Sequence, residues 1–219
     1  MSITPAPRPN PPKQTRFIKK WGPLLLVCLI GLLLILSIAA ILFHFWTDAQ
    51  RWSMEQIYPL RYEALILYYS EARDLDPFLV MGVIQAESSF RYYVVSPMGA
   101  SGLMQIMPRT AEWLAERMGQ SYEETDLFDP AYNIRMGTYY LRLLLDIFEH
   151  QDTALAAYNA GMGNVWSWLE QEQYSYDGET LHTIPFAETW EYVLRVNRYM
   201  ETYRELYAEE WEEIAAQAD

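Results

Sequence analysis

Cysteine, lysine and histidine are nearly missing from this chain of 219 residues. The single cysteine, Cys28, excludes an intrachain disulfide framework and any metal site built from several thiolates. The three histidines, His44, His150 and His182, are too scattered for a histidine triad or a zinc site. There is no Gly-rich loop followed by Lys-Ser or Lys-Thr, and Gly161-Met162-Gly163 lacks the third glycine of a dinucleotide fingerprint. No metal and no cofactor is therefore expected. Lysine stops at Lys20, and no acid precedes Asp48. From Asp48 onward 11 arginines face 29 carboxylates, a net charge of −18. Such a body repels phosphate backbones, so nucleic acid is excluded as a partner. With 51% apolar and 15% aromatic residues, the chain is not a disordered one.

What the sequence does contain begins with a basic start and an uncharged run. Arg8, Lys13, Arg16, Lys19 and Lys20 give the first 20 residues a charge of +5, and the 27 residues that follow carry none. At about 1.5 Å per residue a helix of that length crosses a hydrocarbon core of ~30 Å. A membrane signal-anchor helix is predicted over residues 21–47. A cleaved signal peptide is the alternative, with Ser37-Ile38-Ala39 as its processing site. The apolar stretch, however, continues through Ile41, Leu42, Phe43, Phe45 and Trp46, which suits an uncleaved anchor. By the positive-inside rule, residues 1–20 form a cytoplasmic tail, kept extended by five prolines, and residues 48–219 lie outside the membrane.

The body shows no strand-like alternation. Helices are predicted over residues 60–73, 77–88, 108–118, 130–149, 152–158, 163–170 and 187–214. Asp76-Pro77 and Asp129-Pro130 each read as an N-cap followed by proline at the first helical position. Thr125 to Asp129 is predicted as a loop, and Gln171 to Pro185 as the longest one. The fold class is all-α, one compact helical domain behind one membrane helix.

Glu87 is out of place. Val80, Val83 and Ile84 precede it by seven, four and three residues, so a carboxylate ends an apolar helical stripe. Desolvation there raises its pKa and suits it to general acid work; a frayed helix end facing water is the plain alternative. Ser96 to Gly102 is small and turn-forming, and leads into Leu103-Met104-Gln105-Ile106-Met107-Pro108. Ala157-Tyr158-Asn159-Ala160-Gly161 likewise sets one phenol and one amide among small residues. Loops of this kind let backbone and amide groups approach a polar ligand.

These segments, with Ile184-Pro185-Phe186-Ala187-Glu188-Thr189 and Tyr192-Val193, resemble in order the four motifs of the soluble lytic transglycosylase catalytic domain, over about residues 58–203. The resemblance implies a lysozyme-like helical fold and peptidoglycan glycan strands as substrate. It implies that Glu87 is the single catalytic acid/base and that Ser96 contacts the N-acetyl group of the reacting sugar. Met104 and Gln105 would line the glycan cleft. Tyr158 would hydrogen-bond near the catalytic carboxylate with Asn159 beside it, and Glu188 and Tyr192 would support the cleft. Three positions depart from the family pattern: Arg91-Tyr92 replaces Asn-Pro, Met162 replaces a proline, and Trp190 replaces a frequent arginine.

The implied reaction cuts the β-1,4 bond between N-acetylmuramic acid and N-acetylglucosamine and leaves a 1,6-anhydro end. Two other readings stay open. One is hydrolysis, as in goose-type lysozymes, with Asp126, Asp129 or Glu188 as a second carboxylate. The other is a non-catalytic peptidoglycan-binding protein.

Overall fold

The computed structural model describes residues 13–218, and the prolines expected to keep the tail extended lie outside them. The chain divides into two units, residues 1–54 and 55–219. Helix α1 (Lys13–Ile57), which lies in the first unit up to Met54, begins inside the span expected as tail and ends ten residues beyond the expected anchor. It is long and apolar enough to cross a membrane, and its apolar side chains from Leu24 to Trp46 are exposed. Its hydroxyls turn back onto its own backbone: Ser37 donates to the Leu33 carbonyl at 2.8 Å and Thr47 to that of His44 at 2.8 Å.

The second unit is built from α2 (Glu63–Glu71), α3 (Pro77–Ser88), α4 (Pro108–Arg117), a 3₁₀ turn (Glu124–Phe128), α5 (Pro130–Phe148), α6 (Gln151–Ala160), α7 (Met162–Leu169) and α8 (Ala187–Ala218). Isolated bridges, Val95 with Ser101 and Ser101 with Ile106, are its only β pairing among the described residues. Both Asp-Pro signals start helices where expected. Asp76 accepts from the Phe78 N–H at 2.9 Å and Asp129 from the Tyr132 N–H at 2.7 Å. The segment expected as a loop at Thr125–Asp129 winds into the 3₁₀ turn, because Asp126 accepts from the Glu123 N–H and supplies a local cap.

Helix α3 is buried on every side from Phe78 to Gln85, so its periodicity marks no single face. It lies against α8, where Gly82 is the contact point. A Cβ there would come within 2.8 Å of the Val196 carbonyl, so only glycine lets the two backbones approach this closely. Tyr203 locks the pair by donating to Gln85 Oε1 at 3.2 Å, while Gln85 Nε2 donates to the Ile57 carbonyl. Arg204 of α8 also pairs with the α3 cap, Asp76. This packing fixes the C-terminal end of α3, and with it Glu87.

Candidate active site

Glu87 is the penultimate residue of α3. Beyond it the chain reverses through two left-handed residues, Ser89 (φ 50°) and Phe90 (φ 60°). Such a pair costs roughly 1–2 kcal/mol per residue. Burial of the Phe90 ring offsets that cost, for it is 1% exposed and packs on Tyr62 and Tyr203. The reversal sets Glu87 half-buried beneath the body rather than at a frayed end.

Burial pushes the Glu87 carboxyl from 4.5 up to about 7, against the lowering influence of the Tyr192 hydroxyl and the Arg195 charge. Two phenols share its neighbourhood, Tyr192 buried and Tyr158 half-buried. Burial, and secondarily the charge of Glu87, raises the pKa of both Tyr158 and Tyr192. Tyr158 donates to the Met104 carbonyl at 2.8 Å and packs on Tyr140 at 5.3 Å. Tyr192 is 2% exposed. Its hydroxyl lies near enough to Glu87 to influence it but closes no hydrogen bond of ordinary length and angle. A phenol beside a half-protonated carboxyl is free to turn toward it once the proton leaves.

The loop after α3 is rigid. Ser96 and Ala100 are joined twice, by Ser96 N–H to the Ala100 carbonyl at 2.8 Å and by Ala100 N–H to Ser96 Oγ at 3.0 Å. Gln105 (φ 46°) donates its amide to the carbonyls of Val94 and Gly102. Gly102 has φ 82°, and a Cβ on it would collide with the Asn133 amide and the Leu127 carbonyl. Asn133, fully buried on α5, is the hub that sequence reasoning missed. It donates to the carbonyls of Ser101 and Leu127 at 2.9 Å each and accepts from the Met104 N–H at 2.8 Å. An amide facing an apolar helix stripe, between Ile134, Met136 and Gly137, was the available signal.

Met104 requires a correction. Its side chain was expected to line the cleft, but it is fully buried with its thioether over Gly137. An apolar side chain at the foot of a close loop–helix contact gains more from the core than from an open groove. Met104 reaches the site only through its backbone. Asn159 is tied to the last motif, accepting from Thr189 Oγ1 at 2.8 Å. Glu188 is exposed in the first turn of α8, four residues before Tyr192 and so on the same flank. Arg195, three residues after Tyr192, shares that flank and was not singled out by sequence. Asp126 and Asp129 are engaged in capping, as described above.

Fold and site together define a helical domain with one half-buried carboxyl of raised pKa, flanked by two phenols and a rigid backbone loop. Residues 64–180 match the Transglycosylase SLT domain, and the chain belongs to that family. It is 37% identical over 155 residues to the soluble lytic murein transglycosylases of Salmonella typhimurium and Escherichia coli K12, covering 69% of this chain and 24% of theirs. It is 31% identical to membrane-bound lytic murein transglycosylase C of Mannheimia succiniciproducens, covering 66% of this chain and 47% of that one. A lytic transglycosylase structure from Pseudomonas aeruginosa, in an inactive Glu-to-Gln form, superposes with a TM-score of 0.63 and 32% identity over 74% of this chain and 27% of the other. The chain thus spans about a quarter of the soluble relatives it matches.

Proposed function

We propose that this protein is a peptidoglycan lytic transglycosylase held at the membrane by α1, with Glu87 as its only acid/base. The observation that carries the reading is a half-buried carboxyl with a pKa of about 7 at the end of α3. A group poised there holds a proton to give and, once ionised, accepts one back near neutrality. Glu87 first protonates the bridging oxygen of the β-1,4 bond as C1 of the muramic acid becomes oxocarbenium-like. The substrate's N-acetyl oxygen, oriented by Ser96, stabilises C1 in place of a second carboxylate. Ionised Glu87 then takes the C6 hydroxyl proton, and O6 closes on C1 to give the 1,6-anhydro end. The Tyr192 hydroxyl and the Arg195 charge favour the ionised form between the two steps. Gln105, Tyr158 and Asn159 hold the cleft, and Glu188 edges it on the flank of Tyr192.

Hydrolysis is the weaker reading. Asp126 and Asp129 already accept backbone N–H groups at helix starts, which leaves Glu188 as the remaining candidate for a water-activating base. The deciding experiment is mass analysis of muropeptides released from purified peptidoglycan. Products lighter by one water, resistant to borohydride, are expected; mainly reducible ends would establish a hydrolase. We place residues 48–219 on the extracytoplasmic side. Protease added to cells stripped of any outer wall should digest the body and spare the N-terminus, and the reverse pattern would refute that orientation.

A further inference from the structure

Helix α5 has two chemically distinct faces. Asn133, Gly137, Tyr140 and Leu144 recur at helical spacing on the buried face that holds the Met104 loop. Tyr132, Arg135, Tyr139 and Arg142 recur on the opposite one. Arg73, in the turn after α2, reaches this second face. Its guanidinium lies over the rings of Tyr69 at 5.4 Å and Tyr139 at 5.7 Å, while that of Arg135 lies over Tyr132 at 4.9 Å.

What marks these two arginines is that each is half-buried and held against aromatic rings rather than against a carboxylate. Arg142 pairs with Asp146 and Arg204 with Asp76 and Glu201, yet neither Arg73 nor Arg135 has a carboxylate within 4 Å among the described residues. The Nε of each is shielded from water without an acceptor, and so is the Tyr132 hydroxyl. Asp126, whose charge is felt at Tyr132, is turned to the Glu123 N–H instead. Burial and the neighbouring Arg135 both disfavour the charge on Arg73. Two half-buried guanidiniums on one face of the fold, with no carboxylate in reach, leave positive charge there that an anion would neutralise. Ring faces hold a guanidinium flat and leave its terminal N–H groups free for the paired contacts that oxyanions make.

We propose that Arg73 and Arg135, framed by Tyr69, Tyr132 and Tyr139, form an oxyanion site that takes a phosphate or carboxylate group on the face of α5 turned away from Asn133. The site does not depend on Glu87 or on cleavage. Calorimetric titration of the full chain in neutral detergent, at constant ionic strength, with inorganic phosphate and separately with acetate tests it. One saturable site for at least one of the two is expected. Arg73→Gln or Arg135→Gln should weaken it roughly tenfold to a hundredfold, the weight of a charge-assisted hydrogen bond. Glu87→Gln should bind as the wild type does.

Thermal unfolding separates this role from a structural one. Removing one of two repelling cations should leave the melting temperature in chloride unchanged or higher and abolish the rise that the bound anion produces. Competition by glycerol 3-phosphate would assign a phosphate ligand, and competition by a muramyl dipeptide a carboxylate one. Failure of both phosphate and acetate to saturate a site, or unchanged binding in both arginine variants, overturns the proposal. So does a lower melting temperature of Arg73→Gln in chloride with the anion-dependent rise intact.

Discussion

Glu87→Gln should abolish cleavage and, above neutral pH, make the protein more stable. Both effects come from the same desolvated carboxyl. In the unfolded chain its pKa returns to 4.5, whereas the folded state raises it to about 7. Below the unfolded value both states hold the proton, and the wild type and the isosteric glutamine are nearly equal. As pH climbs from 4.5 to 7 the unfolded state ionises first, so the wild type loses stability throughout that window and levels off above it. At ~1.4 kcal/mol per pH unit the full loss is about 3.5 kcal/mol, and partial exposure reduces it to about 1–3 kcal/mol. The neutral glutamine loses nothing there. Its advantage should grow from almost nil near about pH 4 to roughly 2–10 °C in melting temperature near about pH 8. Thermal unfolding of both full-length forms in neutral detergent measures this, and muropeptide release by the same samples should fall by at least ~10²-fold. An equal difference in melting temperature at both pH values would show that the carboxyl is not desolvated and remove the basis for its acid role.

Cleavage by the wild type should decline about tenfold per pH unit above neutrality as the proton leaves Glu87, and a flat profile from about pH 6 to 9 would point to another acid. Tyr192→Phe removes an influence that lowers the Glu87 pKa, so this decline should move to higher pH with the fold retained; a move to lower pH contradicts the assignment. Asn133→Ala strands the Met104 N–H and the Leu127 carbonyl and takes one of two donors from the Ser101 carbonyl, and should cost roughly 2–4 kcal/mol in urea unfolding; a loss below about 0.5 kcal/mol would deny the hub its role. Ser96→Ala should slow release without changing the anhydro product, since it loosens orientation and supplies no water site; a switch to reducing ends would tie Ser96 to the choice of nucleophile.

The helices were legible because their signals are local. Asp76-Pro77 and Asp129-Pro130 cap their own helices through bonds two or three residues long, so sequence places those starts directly. The uncharged run after Lys20 identifies an apolar helix in the same way. The 3₁₀ turn was less visible, because a cap between Glu123 and Asp126 stabilises only a single short segment. Glu87 stood out as a charge at the end of an apolar stripe, and the ordered motifs carried the rest of the family resemblance.

What chain order alone determined is therefore the list of α-helices, the apolar helix among them, the family and the candidate acid. Tertiary structure decided how these residues work. Met104 passed from cleft to core because its thioether meets Gly137, a contact across 33 positions of chain. Asn133 became the hub only when α5 came beneath the loop. Burial raises Glu87 to about 7, and Tyr192 and Arg195, more than 100 residues away, temper that rise. Arg73 and Arg135 are ordinary in sequence and meet on the outer face of α5 only in space. Capping and periodicity act over a few residues and can be read along the chain; desolvation and the pairing of charges depend on which distant surfaces meet, and only packing sets that.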